Sequence, residues 1–213
     1  MSRVPRVRNV NPHKVSVLTY ICMLNLIFSS LYFILPAYVA NACPVLLKWL
    51  PFGQPINEKL FGEHKTWRGF YVGYIGALAT LLLQLYLQKS GVLPSGSTIS
   101  SSSILSAASE NSYITPLLDY EHINVFLYAF IFGIGALTGD LIKSFFKRRR
   151  NVSPGQSWVP FDQLDFVVGS LVFLSPLYVP TWAVILIILI TTPLLHVSAN
   201  FIAFHLRLKK VWW

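Results

Sequence analysis

From Val15 to Ala42 no residue carries a charge, and comparable apolar runs recur at 69–87, at 123–143 and from Asp162 to about Leu206. Runs of this length decide the solvent: a helix needs about 20 apolar residues to cross a hydrocarbon core about 30 Å thick. Only 12% of the residues are charged, against about 25% in an ordinary soluble domain, so no separate water-soluble domain fits beside these runs. The basic residues Arg3, Arg6, Arg8 and Lys14 ahead of the first run, with Ala40-Asn41-Ala42 at its end, imitate a secretory signal. The run is too long for that, since a signal core spans about 7–15 residues. The fold class expected is therefore all-α, a polytopic membrane protein in one domain.

Five spans are predicted, at about 15–40, 69–87, 123–143, 162–178 and 181–206, with the PLYVPT punctuation at 176–181 dividing the last two. Pro36 is expected to bend the first. Five spans put the termini on opposite sides, and loop charge decides which. With the N-terminus outside, the C-terminus cytoplasmic and loops 44–68 and 144–161 inside, twelve of the 17 basic residues face the cytoplasm, as the positive-inside rule favours. The basic N-terminus opposes this arrangement. The segment 88–122, with its serine tract around Ser102, then becomes an external loop, and Trp49 and Trp67 become interfacial anchors. In a chain this apolar, a net charge of +9 points to anionic lipid and loop bias and not to nucleic acid. Cys22 and Cys43 show no metal or redox spacing.

Chemistry concentrates between Gly139 and Gly169. Asp140, Lys143, Ser144 and Lys147 fall at i, i+3, i+4 and i+7, hence on one helix face. A carboxylate at membrane depth is expensive and marks either a site or an ion partner. Asp162 and Asp165 stand three apart where a helix should start after Pro160. Their spacing leaves two readings open: a capping pair at the helix start, or two ligands of an oxygen-rich Mg²⁺ site. Lys143, Lys147, Arg148, Arg149 and Arg150 exceed what topology requires. Acids for a metal and bases for phosphate in one short stretch suggest phosphoryl chemistry at a membrane surface. Gly133, Gly135 and Gly139 permit close helix approach, and a bulky residue at Gly135 or Gly139 is expected to impair lipid turnover more than nucleotide binding.

The segments GDLIKSFFKR and PGQSWVPFDQLDFVVG resemble the signature of the integral-membrane phosphatidate cytidylyltransferases, a Ser-x-x-Lys-Arg run leading to paired aspartates. More closely, the whole chain is similar to the archaeal CDP-archaeol synthase family, through its five apolar runs, the INEKLFGEHKTWRGF loop and the DQLD motif. It departs from the bacterial pattern in having Ser157-Trp158-Val159-Pro160 in place of a His-Gly-Gly approach to the aspartates.

The resemblance implies transfer of a cytidylyl group from CTP to an ether-lipid phosphate, 2,3-di-O-geranylgeranylglyceryl phosphate, with release of pyrophosphate. It implies Mg²⁺ on Asp140, Asp162 and Asp165, with Lys143, Lys147 and Arg148 offsetting phosphate charge and Ser144 orienting a phosphate or carboxylate. Asn57, Glu63, Lys65, Thr66 and Arg68 in the first loop would grip the nucleotide. A phosphate monoester is already anionic near pH 7 and needs neutralising cations rather than a Ser-His dyad. Two other readings stay open: a transporter or lipid-binding scaffold, and a cytidylyltransferase acting on ester lipids. The Asp-Gly-x-x-Ala-Arg segment of CDP-alcohol phosphotransferases is absent. Oligomeric state leaves no mark in the sequence.

Overall fold

The computed structural model describes residues 12–47, 49–62, 65–93, 116–152, 156 and 158–205. Glu63, Lys48, the tract around Ser102, Ser157, Arg3, Arg6, Arg8, Arg207, Lys209 and Lys210 lie outside the described residues. Among those described, the chain is helical without strands: α1 (Pro12–Leu46), α2 (Glu58–Phe61), α3 (Trp67–Lys89), α4 (Val125–Arg149), α5 (Phe161–Leu174) and α6 (Trp182–His205). Four of these, α1, α3, α4 and α6, are long and apolar enough to cross a bilayer. Leu83, Phe126, Phe130, Ile190 and Leu194 stand outward and exposed, as a lipid-facing surface requires. The chain is an all-helical integral membrane protein.

The segment expected to span at 162–178 is helical for only 14 residues, about 21 Å at 1.5 Å per residue. Pro176 and Pro180 follow its end, where prolines cannot continue a helix. At the third expected span the difference runs the other way. Helix α4 continues past Lys143 to Arg149, carrying into the helix residues expected in a loop. Lys147, Arg148 and Arg149 suit a helix C-terminus, where cations oppose the partial negative charge of the free carbonyls. The stop is a Schellman turn: Asn151 takes φ 54°, its N–H donates to Arg148 O (3.0 Å), and the Val152 N–H donates to Lys147 O (3.2 Å).

Helix α1 runs unbroken through Pro36 and Pro44. Pro36 has no N–H to give Tyr32, four residues back. The Tyr32 carbonyl is satisfied instead by the side-chain amide of Gln84 on α3, at 2.7 Å. A buried glutamine in an apolar helix thus has a structural cause, and it ties α1 to α3.

Helix α4 lies at the centre, against α1, α3, α5 and the short α2. Small residues set the spacing. A Cβ on Gly133 would stand 3.1 Å from Tyr74 Cα, and one on Gly73 would stand 3.0 Å from Ala40 O. The tightest crossing is between α4 and α5. A Cβ on Gly139 would collide with the Asp165 carbonyl, one on Gly135 would reach 2.8 Å from Ser170 Cα, and one on Gly169 would collide with Gly135 O. Backbones meet here without side chains between them, as small-residue interfaces in membranes allow. The core around this crossing comprises Ala129, Phe132, Ala136, Phe166 and Val167, closed by Phe33, Ile34 and Ala37 of α1.

Candidate active site

Two pieces of backbone bring the polar residues together. Residues 50–62 and 65–68 form a clasp: the Ile56 N–H donates to Lys65 O (2.8 Å), and Pro55 and Thr66 pair as an antiparallel bridge. The Arg68 guanidinium donates to Leu50 O (3.0 Å), and Tyr71 OH donates to Pro51 O (2.7 Å). Asn57 caps α2, accepting from the Leu60 N–H at 3.1 Å. Phe61 then packs on Phe145, with centroids 6.4 Å apart, and so seats α2 on the end of α4. The clasp delivers Lys65 to Asp140, with which it forms an ion pair. The second piece is the glycine crossing, which brings the start of α5 against the polar face of α4.

At that junction three carboxylates converge on one ammonium. Lys143 Nζ lies 3.2 Å from Asp140, 2.9 Å from Asp162 and 2.9 Å from Asp165. Lys147 also reaches Asp162, at 2.9 Å. Asp162 accepts further from the Trp158 N–H at 2.6 Å, and Asp165 from the Phe166 N–H at 2.7 Å. The Asp165 side chain is only 4% exposed. The capping reading of the two aspartates does not describe this helix. Its N-cap is Pro160, without a side-chain cap bond, and Asp162 lies in the first turn. The carboxylates are spent on lysines of another helix.

The remaining sequence-predicted residues divide. Lys65, Thr66 and Arg68 line a polar pocket of about 540 Å³ with Asp140, Gly53 and Asn41. Ser144 is buried and donates to the carbonyl of Asp140 at 2.8 Å, so its hydroxyl serves its own helix. Arg148 turns aside, donating to Val152 O at 3.3 Å and packing beside Gly62. Asn57 has its cap to hold. Ser144, Arg148 and Asn57 are thus at hand but engaged in structure.

A second cavity of about 650 Å³ runs between α4 and α5, lined by Gly139, Lys143 and Asp165, which the sequence singles out, and by apolar residues of both helices, which it does not. Ile142 and Phe146 form one wall and Phe161, Val168, Val172 and Phe173 the other, with Lys143 and Asp165 at its polar end. Ile142, Phe146, Phe161 and Val172 are more than half exposed, so the groove opens sideways. In the sequence these residues look like any lipid-facing stripe. The signal was the glycine triplet, because close helix contact at one level lets the same helices diverge at another.

The cluster fits Mg²⁺ by chemistry, because all its potential ligands are carboxylate oxygens and one cation already touches all three. Among the described residues no three such groups are gathered as metal ligands; Lys143 holds the point between them.

Comparison with known proteins gives one answer. The family model described as CarS-like, CDP-archaeol synthase, matches residues 23–213. The CDP-archaeol synthase of Methanococcus maripaludis strain C7 is 35% identical over 204 residues, covering 90% of this chain and 99% of that protein. That of Thermococcus gammatolerans is 36% identical over 198 residues, with coverages of 89% and 98%. A solved structure of an intramembrane enzyme for archaeal membrane lipids biosynthesis is similar in fold, with a TM-score of 0.57 at 24% identity over 82% of this chain and 94% of that one. The carboxylate–lysine cluster and its flanking cavities are therefore features of an enzyme, and the chain belongs to the CDP-archaeol synthase family.

Proposed function

We propose that the enzyme transfers a cytidylyl group from CTP to an archaeal ether-lipid phosphate, forming the CDP-lipid and pyrophosphate. The observation that carries this reading is the position of the carboxylate–lysine cluster as a wall between two unlike cavities. Asp140 and Lys65 face the polar pocket, while Lys143 and Asp165 close the polar end of the apolar groove. A triphosphate suits the first and a chain-bearing phosphate suits the second. An oxygen of the lipid phosphate attacks the α-phosphorus of CTP, and the bond from that phosphorus to the β-phosphate bridging oxygen breaks.

The protein contributes position and charge, which is most of what phosphoryl transfer asks of it. Asp140, Asp162 and Asp165 would hold Mg²⁺, which when bound offsets triphosphate charge and polarises the reacting phosphoryl group. Lys65 and Arg68 stand beside the nucleotide phosphates. Lys143 and Lys147 lower the repulsion between two anions brought to contact distance. Lipid chains remain in the groove, whose open side spares the substrate from leaving the bilayer. Incubating purified protein with labelled CTP, Mg²⁺ and the ether-lipid phosphate is expected to release pyrophosphate only when lipid is present. Lipid-independent release, or none, would refute the reading.

In this proposal the active site faces the cytoplasm, where CTP is, and α5 with the turn after it completes a fifth crossing. Cysteines placed singly at Lys65, Arg149 and Ser102 in the otherwise cysteine-free protein check the orientation. An impermeant thiol reagent applied to intact cells should modify position 102 and spare 65 and 149. The opposite pattern would invert the topology.

A further inference from the structure

The carboxylate cluster carries its own neutralising charge. Three carboxylates, Asp140, Asp162 and Asp165, meet three ammonium groups, Lys65, Lys143 and Lys147, through five ion pairs. Lys143 alone touches all three acids. These side chains are 4–24% exposed, so water does little to screen them. A divalent cation entering such a site with every lysine in place would leave two positive charges without partners, and unpaired charge in a poorly hydrated site is costly. The ion must either evict a lysine or bring anions with it.

Resting on the nucleotide and metal reading above, we propose that Lys143 is a displaceable resident cation. It holds the three carboxylates in register when nucleotide is absent and keeps free divalent ions out. It yields its place only to an ion that arrives with a triphosphate. The backbone of α4 fixes its Cα, and its flexible four-carbon stem lets the ammonium swing. Lys143 also lines the apolar groove, so an ammonium released from the carboxylates is placed where a lipid phosphate would enter. Divalent ion, nucleotide and acceptor are thereby coupled through one side chain.

The test measures binding, not turnover. Mn²⁺ binding to the full-length protein in micelles is followed by electron paramagnetic resonance, with and without CTP and with no lipid acceptor. Wild type should bind free Mn²⁺ weakly and bind it at least about tenfold more tightly with CTP, the gain expected from removing one like charge at contact distance. Lys143→Met should bind free Mn²⁺ at least about tenfold more tightly than wild type, and the gain from CTP should shrink. Lys143→Arg, which keeps the charge, should behave as wild type. Lys143→Gln replaces the Met variant if the latter does not remain monodisperse. If the neutral variant binds free Mn²⁺ no better than wild type while wild type still responds to CTP, the role of Lys143 is overturned and the nucleotide–metal reading survives. If wild type shows no CTP-dependent Mn²⁺ binding, that reading falls and takes this one with it.

Discussion

Asp165→Asn and Asp162→Asn, assayed singly, should yield folded protein whose cytidylyl transfer is down by about two to three orders of magnitude. Asparagine keeps the size of aspartate and caps helices well, so a purely local role would predict near-normal activity. The structure adds a longer-range role to the local backbone contacts: Pro160 is the N-cap of α5, and the carboxylates pair with Lys143 and Lys147. Neutralising either acid removes a formal charge from the proposed metal position. It also leaves a poorly hydrated lysine short of a partner. Metal neutralisation of a reacting phosphoryl group is worth several kcal/mol, and each 1.4 kcal/mol is tenfold in rate. Asp165, the most enclosed of the three, should lose the most. Turnover within a few fold of wild type in both variants would show that the cluster is structural.

Gly139→Ala should abolish activity and lower the stability of the folded protein in detergent by about 2–3 kcal/mol or more, as overpacking a tight core does. The added methyl would collide with the carbonyl of Asp165 and stand 3.0 Å from Gly169 Cα. Nothing at that contact is a flexible side-chain end, so one helix must move. The sequence suggests a milder result, in which a larger residue at Gly135 or Gly139 impairs lipid turnover more than nucleotide binding. Gly139 lines the groove, but it also stands against the Asp165 backbone at the helix crossing, so the larger effect is expected. Displacing α5 carries Asp162 and Asp165 away from Lys143, so nucleotide-dependent and lipid-dependent steps should fail together. A thermal melt of the purified variant beside a CTP-binding measurement checks this. Loss of lipid turnover with unchanged stability and CTP affinity would show that Gly139 serves the groove alone.

What could be read from residues alone follows from which interactions leave a periodic trace. The long apolar helices did, because a hydrocarbon solvent demands about 20 uncharged residues in a row. So did the common face of Asp140, Lys143 and Lys147, fixed by helical spacing. The length of α5 did not, since apolar residues in its C-terminal turn look the same as those of a longer helix. Nor did the end of α4, where a Schellman turn built on Asn151 placed three more basic residues in the helix. The resemblance implies binding roles for Asn57, Ser144 and Arg148, and in the structure each also meets a backbone group or a neighbouring glycine. Only tertiary structure distinguishes a polar side chain that satisfies its own fold from one left for a substrate. Which apolar residues line the groove was hidden, because a substrate chain and a membrane lipid ask for the same residues.

The central claim is that nucleotide and lipid approach one cluster from separate sides, and a single groove variant tests it most directly. Val172 lines the groove and is 61% exposed, so Val172→Trp fills the groove without disturbing the core. It lies seven residues after Asp165, about 10 Å along the helix at 1.5 Å per residue, well clear of the ion pairs. Steady-state kinetics of this variant, with CTP and ether-lipid phosphate varied in turn, should show the KM for lipid raised about tenfold or more, as for loss of well-packed apolar contact, and the KM for CTP unchanged. An equal rise in both constants, or no change in the lipid KM, would contradict the two-sided site.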